Sequence, residues 1–102
     1  MINFSKFGSI TKIVIPNNIK FSSTNFSGAF EDLKALREVS LNYNAITNMR
    51  NMHSYCINLT GSPACGPNVT DMVNAYRFCY SLTGSPVVGN NVTNMYLTYY
   101  NC

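Results

Sequence analysis

The sequence predicts an α/β fold, a right-handed solenoid of about four rungs in which short parallel strands and short helices recur with a 23-residue period. Three observations predict it: a repeat through most of the chain, a helical spacing of apolar residues in one half of each repeat, and apolar alternation in the other half. With 102 residues, the chain has room for one domain with a modest core.

The repeat is clearest in the second half of the chain. Cys56, Cys79 and Cys102 are 23 residues apart, and the same step connects the Gly-Ser-Pro tripeptides at 61–63 and 84–86. A weaker copy extends upstream, because four threonines share the spacing: Thr24, Thr47, Thr70 and Thr93. The predicted single domain, 1–102, divides into an atypical N-terminal cap with the first strand, three repeats and a partial C-terminal repeat: 1–23, 24–46, 47–69, 70–92 and 93–102.

One half of each repeat has the pattern of a short helix. The segments 49–56 and 72–79 carry apolar or aromatic residues at i, i+3, i+4 and i+7, which is typical of a helix with one buried face. The threonine before each segment is a candidate N-cap, because its hydroxyl could accept a hydrogen bond from the first turn. The sequence therefore predicts a helix in every repeat.

The other half has the pattern of a short strand. Val39 and Leu41 alternate with polar residues, and the segment 13–15 resembles this stretch at an offset of 26 residues. In later repeats the strands are expected to be very short, since Pro63 and Pro86 lack the N–H that a sheet requires. Consecutive strands joined by helical crossovers must run parallel.

The residues of this repeat resemble those of a known family. Val-Thr-Asn-Met at 92–95, with the aromatic residues and the cysteine that follow, resembles BspA-like leucine-rich repeats of the VTNM type, which occur in bacterial surface and phage proteins. The segments Ile-Pro-Asn-Asn at 15–18 and Gly-Ala-Phe at 28–30 are similar to the commoner BspA form. The resemblance extends over about residues 10–102 and implies a leucine-rich-repeat-like solenoid that binds proteins or mediates adhesion.

Composition narrows the function classes. Hydrophobic residues make up 46% of the chain and charged residues 11%, which predicts a folded protein. The net charge of +3 comes from scattered basic residues, so we expect no nucleic-acid partner. Neither a secretory signal nor an apolar run of roughly 20 residues is present, so we expect no membrane insertion. The expected location is the cytoplasm of a bacterium or phage-infected cell for a complete chain, and a cell surface or virion for a fragment.

The cysteines and the histidine are the candidates for chemistry. Cys56, Cys79 and Cys102 share one core-facing position, which predicts buried free thiols. A metal site that adds His53 lacks the clustered spacing of zinc ligands, and a Cys56–His53 nucleophile lacks a third orienting group. The repeat equivalents of His53 are aromatic, so an aromatic slot is its predicted role: Phe30, Tyr76 and Tyr99. We predict no catalytic, metal or cofactor site, and no enzyme.

The outward positions of the predicted helices become more aromatic toward the C-terminus. A contiguous aromatic patch on a small protein marks an interface. The candidate protein-binding residues are Val73, Arg77, Phe78, Tyr96, Leu97 and Tyr100. The alternative is that Tyr96, Leu97 and Tyr100 fold over the end of the domain as a cap, which could also form a homo-dimer through the C-terminal repeat.

The expected function is a non-catalytic protein-binding repeat module. In one version, a small phage or mobile-element protein binds and blocks a host factor. The alternative is a structural or adhesive repeat segment of a phage tail or bacterial surface protein that self-associates through its open C-terminal end.

Overall fold

Two short strands are the regular secondary structure of the chain in a computed structural model, which describes residues 2–85 and 88–102. Strand β1 (Lys12–Val14) pairs in parallel with β2 (Glu38–Ser40), and Ile13 lies opposite Val39. A single 3₁₀ turn follows β2 at Tyr43–Ala45. The pairing confirms the parallel relationship and the 26-residue offset predicted for these two segments.

The predicted α/β solenoid is wrong. The described residues contain no α-helix, and their one sheet has two strands instead of about four rungs. The molecule measures 30 × 29 × 20 Å, which is compact, and most of the described chain consists of turns and irregular backbone.

Four segments that were predicted to contain helices are chains of overlapping turns. We call them the turn segments: 25–33, 48–56, 71–79 and 94–102. In each of them, every second N–H donates to the carbonyl three residues earlier. In the third segment, Ala75 donates to Met72 and Cys79 donates to Tyr76, with N···O distances of 3.0 and 3.2 Å. Each of these bonds closes a four-residue turn, whereas an α-helix would require bonds to the fourth residue back.

Left-handed residues explain why these segments do not continue as helices. Two positions per turn segment, four residues apart, have φ near +60°, and a right-handed helix needs negative φ throughout. Each lies at the third position of a four-residue turn, where a type II turn requires positive φ. The residues are Gly28, Asp32, Asn51, Tyr55, Asn74, Phe78, Leu97 and Asn101.

Polar side chains at the start of each turn segment favour turns over helices. The side-chain oxygen of Asn48 accepts a hydrogen bond from the N–H of Arg50 at 2.9 Å, and Asp71 does the same for Val73. Such local bonds compete with helix formation. The predicted threonine N-caps are also wrong, because the Thr47 hydroxyl lies 2.9 Å from the Thr24 hydroxyl, one period earlier.

The turn segments are hydrogen-bonded to one another in the register of the sequence repeat. The N–H groups that are not used within a segment donate to carbonyls of the following one, as Met49 does to Asp71 and Asn51 to Val73, both at 2.9 Å. Isolated parallel bridges join the first residues of successive segments, such as Asn48 with Asp71. The 23-residue period is therefore kept in the backbone contacts although the helices are absent.

The core lies on the inner side of the turn segments. All the residues predicted to face inward from 49–56 and 72–79 are buried, which confirms their direction. They are Met49, Met52, His53, Cys56, Met72, Ala75, Tyr76 and Cys79. The very short strands predicted near Pro63 do not form among the described residues, and Pro86 lies outside them.

Candidate functional site

A column of stacked rings runs through the interior. Its three central members, Phe30, His53 and Tyr76, are fully or almost fully buried. Their ring centroids are 5.4 and 5.0 Å apart, with interplanar angles of 25° and 15°. Phe4 extends the column at one end and Tyr99 at the other. The predicted aromatic slot for His53 is confirmed, because the imidazole occupies a ring position in this column.

His53 is held as a neutral imidazole. Its Nε2 lies 2.9 Å from the hydroxyl of Tyr43, whereas its Nδ1 is buried and has no hydrogen-bond partner among the described residues. Removal from water lowers the pKa of His53 to about 3, because burial penalises the charged form. The imidazole therefore does not titrate near neutral pH.

The tyrosines around His53 are held protonated. Burial raises the pKa of Tyr43 and that of Tyr76 well above the ordinary value. The Tyr76 hydroxyl donates to the carbonyl of Ala64 at 2.6 Å and accepts from its N–H at 2.8 Å. This pair of bonds anchors the column to the chain segment that follows the second turn segment.

The three periodic thiols each donate to a backbone carbonyl. Cys56 and Cys79 are buried, and their sulfur atoms lie 3.0 Å from the carbonyl oxygens of Phe30 and His53. Cys102 makes the same contact with Tyr76 but is exposed. The predicted free, core-facing thiols are confirmed at the two inner positions. Burial raises the pKa of Cys56 to about 12 and also raises that of Cys79.

The buried Cys56 and His53 do not form a thiol–imidazole pair. The Cys56 sulfur donates to a carbonyl and forms no hydrogen bond to the imidazole, and both groups are neutral at pH 7. Cys65 is half-buried, with its sulfur 3.6 Å from that of Met72. No group of three His, Cys, Asp or Glu residues within 2–85 and 88–102 could hold a metal ion.

The surface carries a second group of rings, which we call the Arg77 cluster: Tyr55, Arg77, Phe78, Tyr80 and Tyr100. Tyr55 stacks on Phe78 with ring centroids 4.7 Å apart. The rings of Tyr80 and Tyr100 approach Phe78 edge-on, at 5.9 and 5.6 Å. Tyr55, Tyr80 and Tyr100 are 38%, 59% and 46% exposed, so the cluster is open to solvent.

Arg77 is the charged member of the cluster. Its guanidinium carbon lies 4.9 Å from the ring centroid of Phe78 and 5.4 Å from that of Tyr100, which are cation–π distances. Its Nε is buried and forms no hydrogen bond within the described chain. By contrast, Arg50 pairs with Asp71 at 3.0 Å. Arg77 therefore lies within an aromatic surface and forms no ion pair in the part of the chain that the structure describes.

The backbone accounts for the way in which two of the rings are displayed. Tyr55 and Phe78 occupy equivalent left-handed positions, with φ of 63° and 61°. Positive φ costs a bulky residue roughly 1–2 kcal/mol. Held there, the two side chains lie over each other on the surface instead of entering the core.

The structure brings together half of the predicted binding residues. Arg77, Phe78 and Tyr100 are in mutual contact. Val73 is buried, so it does not belong to this surface. Leu97 is half-buried, and Tyr96, which is 68% exposed, makes no ring contact with the cluster in the described structure.

Tyr55 and Tyr80 belong to the Arg77 cluster but are absent from the predicted set of binding residues. Tyr55 precedes Phe78 by one period, and that equivalence is the signal that would have included it. Tyr80 lies beyond the predicted helix, and only the edge-on contact with Phe78 places it in the cluster.

The chain matches no family model, and comparison with curated proteins and with solved structures gives no significant match. The resemblance to BspA-like repeats therefore stays a prediction. In the described ranges, no helix combines the length and apolar character needed to cross a membrane.

The last turn segment has a different surface. The N–H groups of Met95, Leu97 and Asn101 form no hydrogen bond within residues 2–85 and 88–102, whereas their equivalents in the preceding segment all do. A shallow groove of about 210 Å³ lies beside this segment. It is lined by Pro63, Leu82, Gly84, Tyr99 and Cys102.

Proposed function

We propose that the chain is a non-catalytic protein-binding module whose contact surface is the Arg77 cluster. One observation carries the proposal: four aromatic rings lie together on the surface, and a guanidinium group that has no acidic partner among the described residues lies against two of them. Tyrosine and arginine are enriched where proteins contact one another, because each offers a large rigid area and a polar end.

The interior supports a binding function over catalysis. The groups that would supply an acid, a base or a nucleophile are buried, neutral and already hydrogen-bonded within the core. Their contacts serve packing, since each thiol and each ring joins one turn segment to the next. The rings and the guanidinium group of the Arg77 cluster, in contrast, contact one another at the surface and do not join the core.

Site-specific photo-cross-linking tests the proposal. A photoreactive phenylalanine in place of Tyr80 should cross-link to a defined partner protein in an extract, and Tyr100→Ser should reduce that product because it removes a neighbouring ring. The matched control carries the same probe at Val14, an exposed apolar residue of β1. Equal cross-linking at both positions, or a product unaffected by Tyr100→Ser, would count against the proposal.

The second candidate is a structural segment that self-associates through the last turn segment. The observation in its favour is that the N–H groups of Met95, Leu97 and Asn101 form no hydrogen bond among the described residues, at positions equivalent to N–H groups that join the inner segments. Rows of free N–H groups invite pairing with another chain. The apparent molar mass from light scattering should then rise with protein concentration. A rise that persists in a Phe78→Ser, Tyr100→Ser variant would favour this candidate over the Arg77 cluster.

A further inference from the structure

The charge arrangement around the Arg77 cluster indicates what occupies it. The ion pairs of the described chain are Lys12 with Glu38 and Arg50 with Asp71. Arg77 has no such partner, and the two remaining acidic residues, Glu31 and Asp32, also form no ion pair in the described structure. Arg77 is thus one of five basic residues without an ion pair in the described structure, with Lys6, Lys20, Lys34 and Arg37, and it is the one that lies within the aromatic cluster.

Glu31 and Arg77 occupy equivalent positions of the first and third turn segments, and Asp32 is adjacent to Glu31. Glu31 and Asp32 precede Arg77 and Phe78 by two periods. The N–H of Asp32 donates to Ser54, and the N–H of the adjacent Tyr55 donates to Arg77, so one turn segment separates the acids from the cation. At a spacing of about 4.8 Å per hydrogen-bonded layer, the two ends are roughly 10 Å apart.

Rings occupy the space between the two charged ends. Tyr55 lies in the intervening turn segment and stacks on Phe78. Asp32, Tyr55 and Phe78 share the same left-handed backbone conformation, so their side chains leave the backbone in one direction. Lys34 belongs to the acidic end as well, which leaves that end with a net charge of −1 against the +1 of Arg77.

We infer that a second copy of this chain docks on the Arg77 cluster in a two-fold arrangement, with Glu31 and Asp32 of each copy facing Arg77 of the partner subunit. This inference rests on the proposed binding function and names its partner. In a two-fold interface each patch meets the same patch reversed, so a face that is acidic at one end and basic at the other is complementary to itself. The rings of Tyr55 and Phe78 form the centre, where they exclude water from the ion pairs at both ends.

A charge-swap experiment tests the arrangement. In sedimentation velocity the wild-type chain should show a monomer–dimer equilibrium, and R77E should weaken it about tenfold or more because acids then face acids. The double variant E31K/D32K should weaken the dimer in the same way. An equal mixture of R77E with E31K/D32K should dimerise again, since every charged contact in the mixed dimer is attractive.

The mixture gives the deciding result. A wild-type chain that remains monomeric up to about 1 mM, or a mixture that stays monomeric while both variants keep the wild-type circular dichroism spectrum, would overturn the inference. Salt provides a second measurement that needs no substitution: the wild-type dimer should weaken between 50 and 500 mM NaCl, roughly as expected when the Debye length shortens. A dimer dissociation constant that does not change with NaCl concentration would contradict the proposed ion pairs.

The outcomes separate this inference from the proposed function. If the cluster binds a different protein, Tyr100→Ser reduces cross-linking from position 80 while the wild-type chain sediments as a monomer. If the cluster binds nothing, both the cross-link and the dimer are absent.

Discussion

The hydroxyl of Tyr43 lies 2.9 Å from Nε2 of His53, an imidazole that is completely buried between two rings. Within residues 2–85 and 88–102, the other ring nitrogen of His53 has no hydrogen-bond partner. The protein therefore encloses a titratable group in its neutral form, and acid should act on the fold through this group.

Stability should fall as the pH decreases below about 6.5. The pKa of His53 is about 3 in the folded chain, against an ordinary value of 6.5 for a solvated histidine, so the unfolded chain binds the proton more tightly. Between these values the free energy of unfolding should drop by up to about 1.4 kcal/mol per pH unit. Urea denaturation at pH 7, 6, 5 and 4 measures the slope.

His53→Phe should remove this part of the slope, because phenylalanine is the residue at the equivalent position 30. Tyr43→Phe is the matched control: it removes the hydrogen bond but leaves the imidazole buried, so the slope should persist. Burial raises the pKa of Glu31, which changes stability in the opposite sense, but that contribution is common to all three proteins. Equal slopes in wild type and His53→Phe would contradict the prediction.

Cys56→Ala should destabilise the chain by about 1–3 kcal/mol, since it opens a cavity and deletes a buried hydrogen bond. The sulfur is fully buried and lies 3.0 Å from the Phe30 carbonyl oxygen. The shift in the midpoint of urea unfolding measures the loss. Cys102→Ala is the control, because the same contact is made there at an exposed position and should contribute less. A larger loss at Cys102 would be inconsistent with this account.

Leu97→Asn should raise the free energy of unfolding by up to about 1 kcal/mol, because it relieves a positive φ of 55° at a bulky residue. The equivalent positions are glycine at 28 and asparagine at 51 and 74, which tolerate this conformation. Leu97→Ala is the control, as it shortens the side chain without relieving the backbone. Thermal unfolding should rank asparagine above leucine and leucine above alanine, and a reversed order would refute the assigned strain.

Gly66→Ala should destabilise the chain by about 1–3 kcal/mol, the typical cost of overpacking. A Cβ at this buried position would meet the backbone carbonyl of Tyr43, which cannot swing away as a side chain does. Gly8→Ala is the matched control, since nothing lies within 4 Å of its added methyl group. Similar melting temperatures for the two variants would show that the loop near Tyr43 yields easily.

The inward half of the structure could be predicted because burial depends mainly on spacing. Residues such as Met49 and Cys56 recur at intervals that bury them in a helix, and the same intervals bury them in successive turns. The periodic rings likewise predicted the column that contains His53. The parallel pairing of Ile13 with Val39 was indicated by the resemblance of the segment 13–15 to the segment 39–41 at an offset of 26 residues.

The backbone conformation was not predicted, because spacing alone does not distinguish turns from a helix. Gly28, Asn51 and Asn74 at one repeat position were the available signal, since these residue types favour positive φ. Tyr55 and Phe78 gave no such signal, as bulky residues rarely adopt that conformation. The surface was therefore predicted only in part, because its display of rings depends on those two residues.

The alternation of hydrogen bonds within and between turn segments determines which changes of chain length the protein tolerates. The N–H groups that an inner segment does not use for its own turns donate to carbonyls of the next segment, always the same number of residues further along the chain. Losing one residue from 48–56 would set its N–H groups opposite carbonyls that already accept bonds within their own segment, whereas losing a whole period would realign every pair. The insertion or deletion of a complete 23-residue repeat therefore preserves the hydrogen bonds between segments, whereas that of a single residue breaks them.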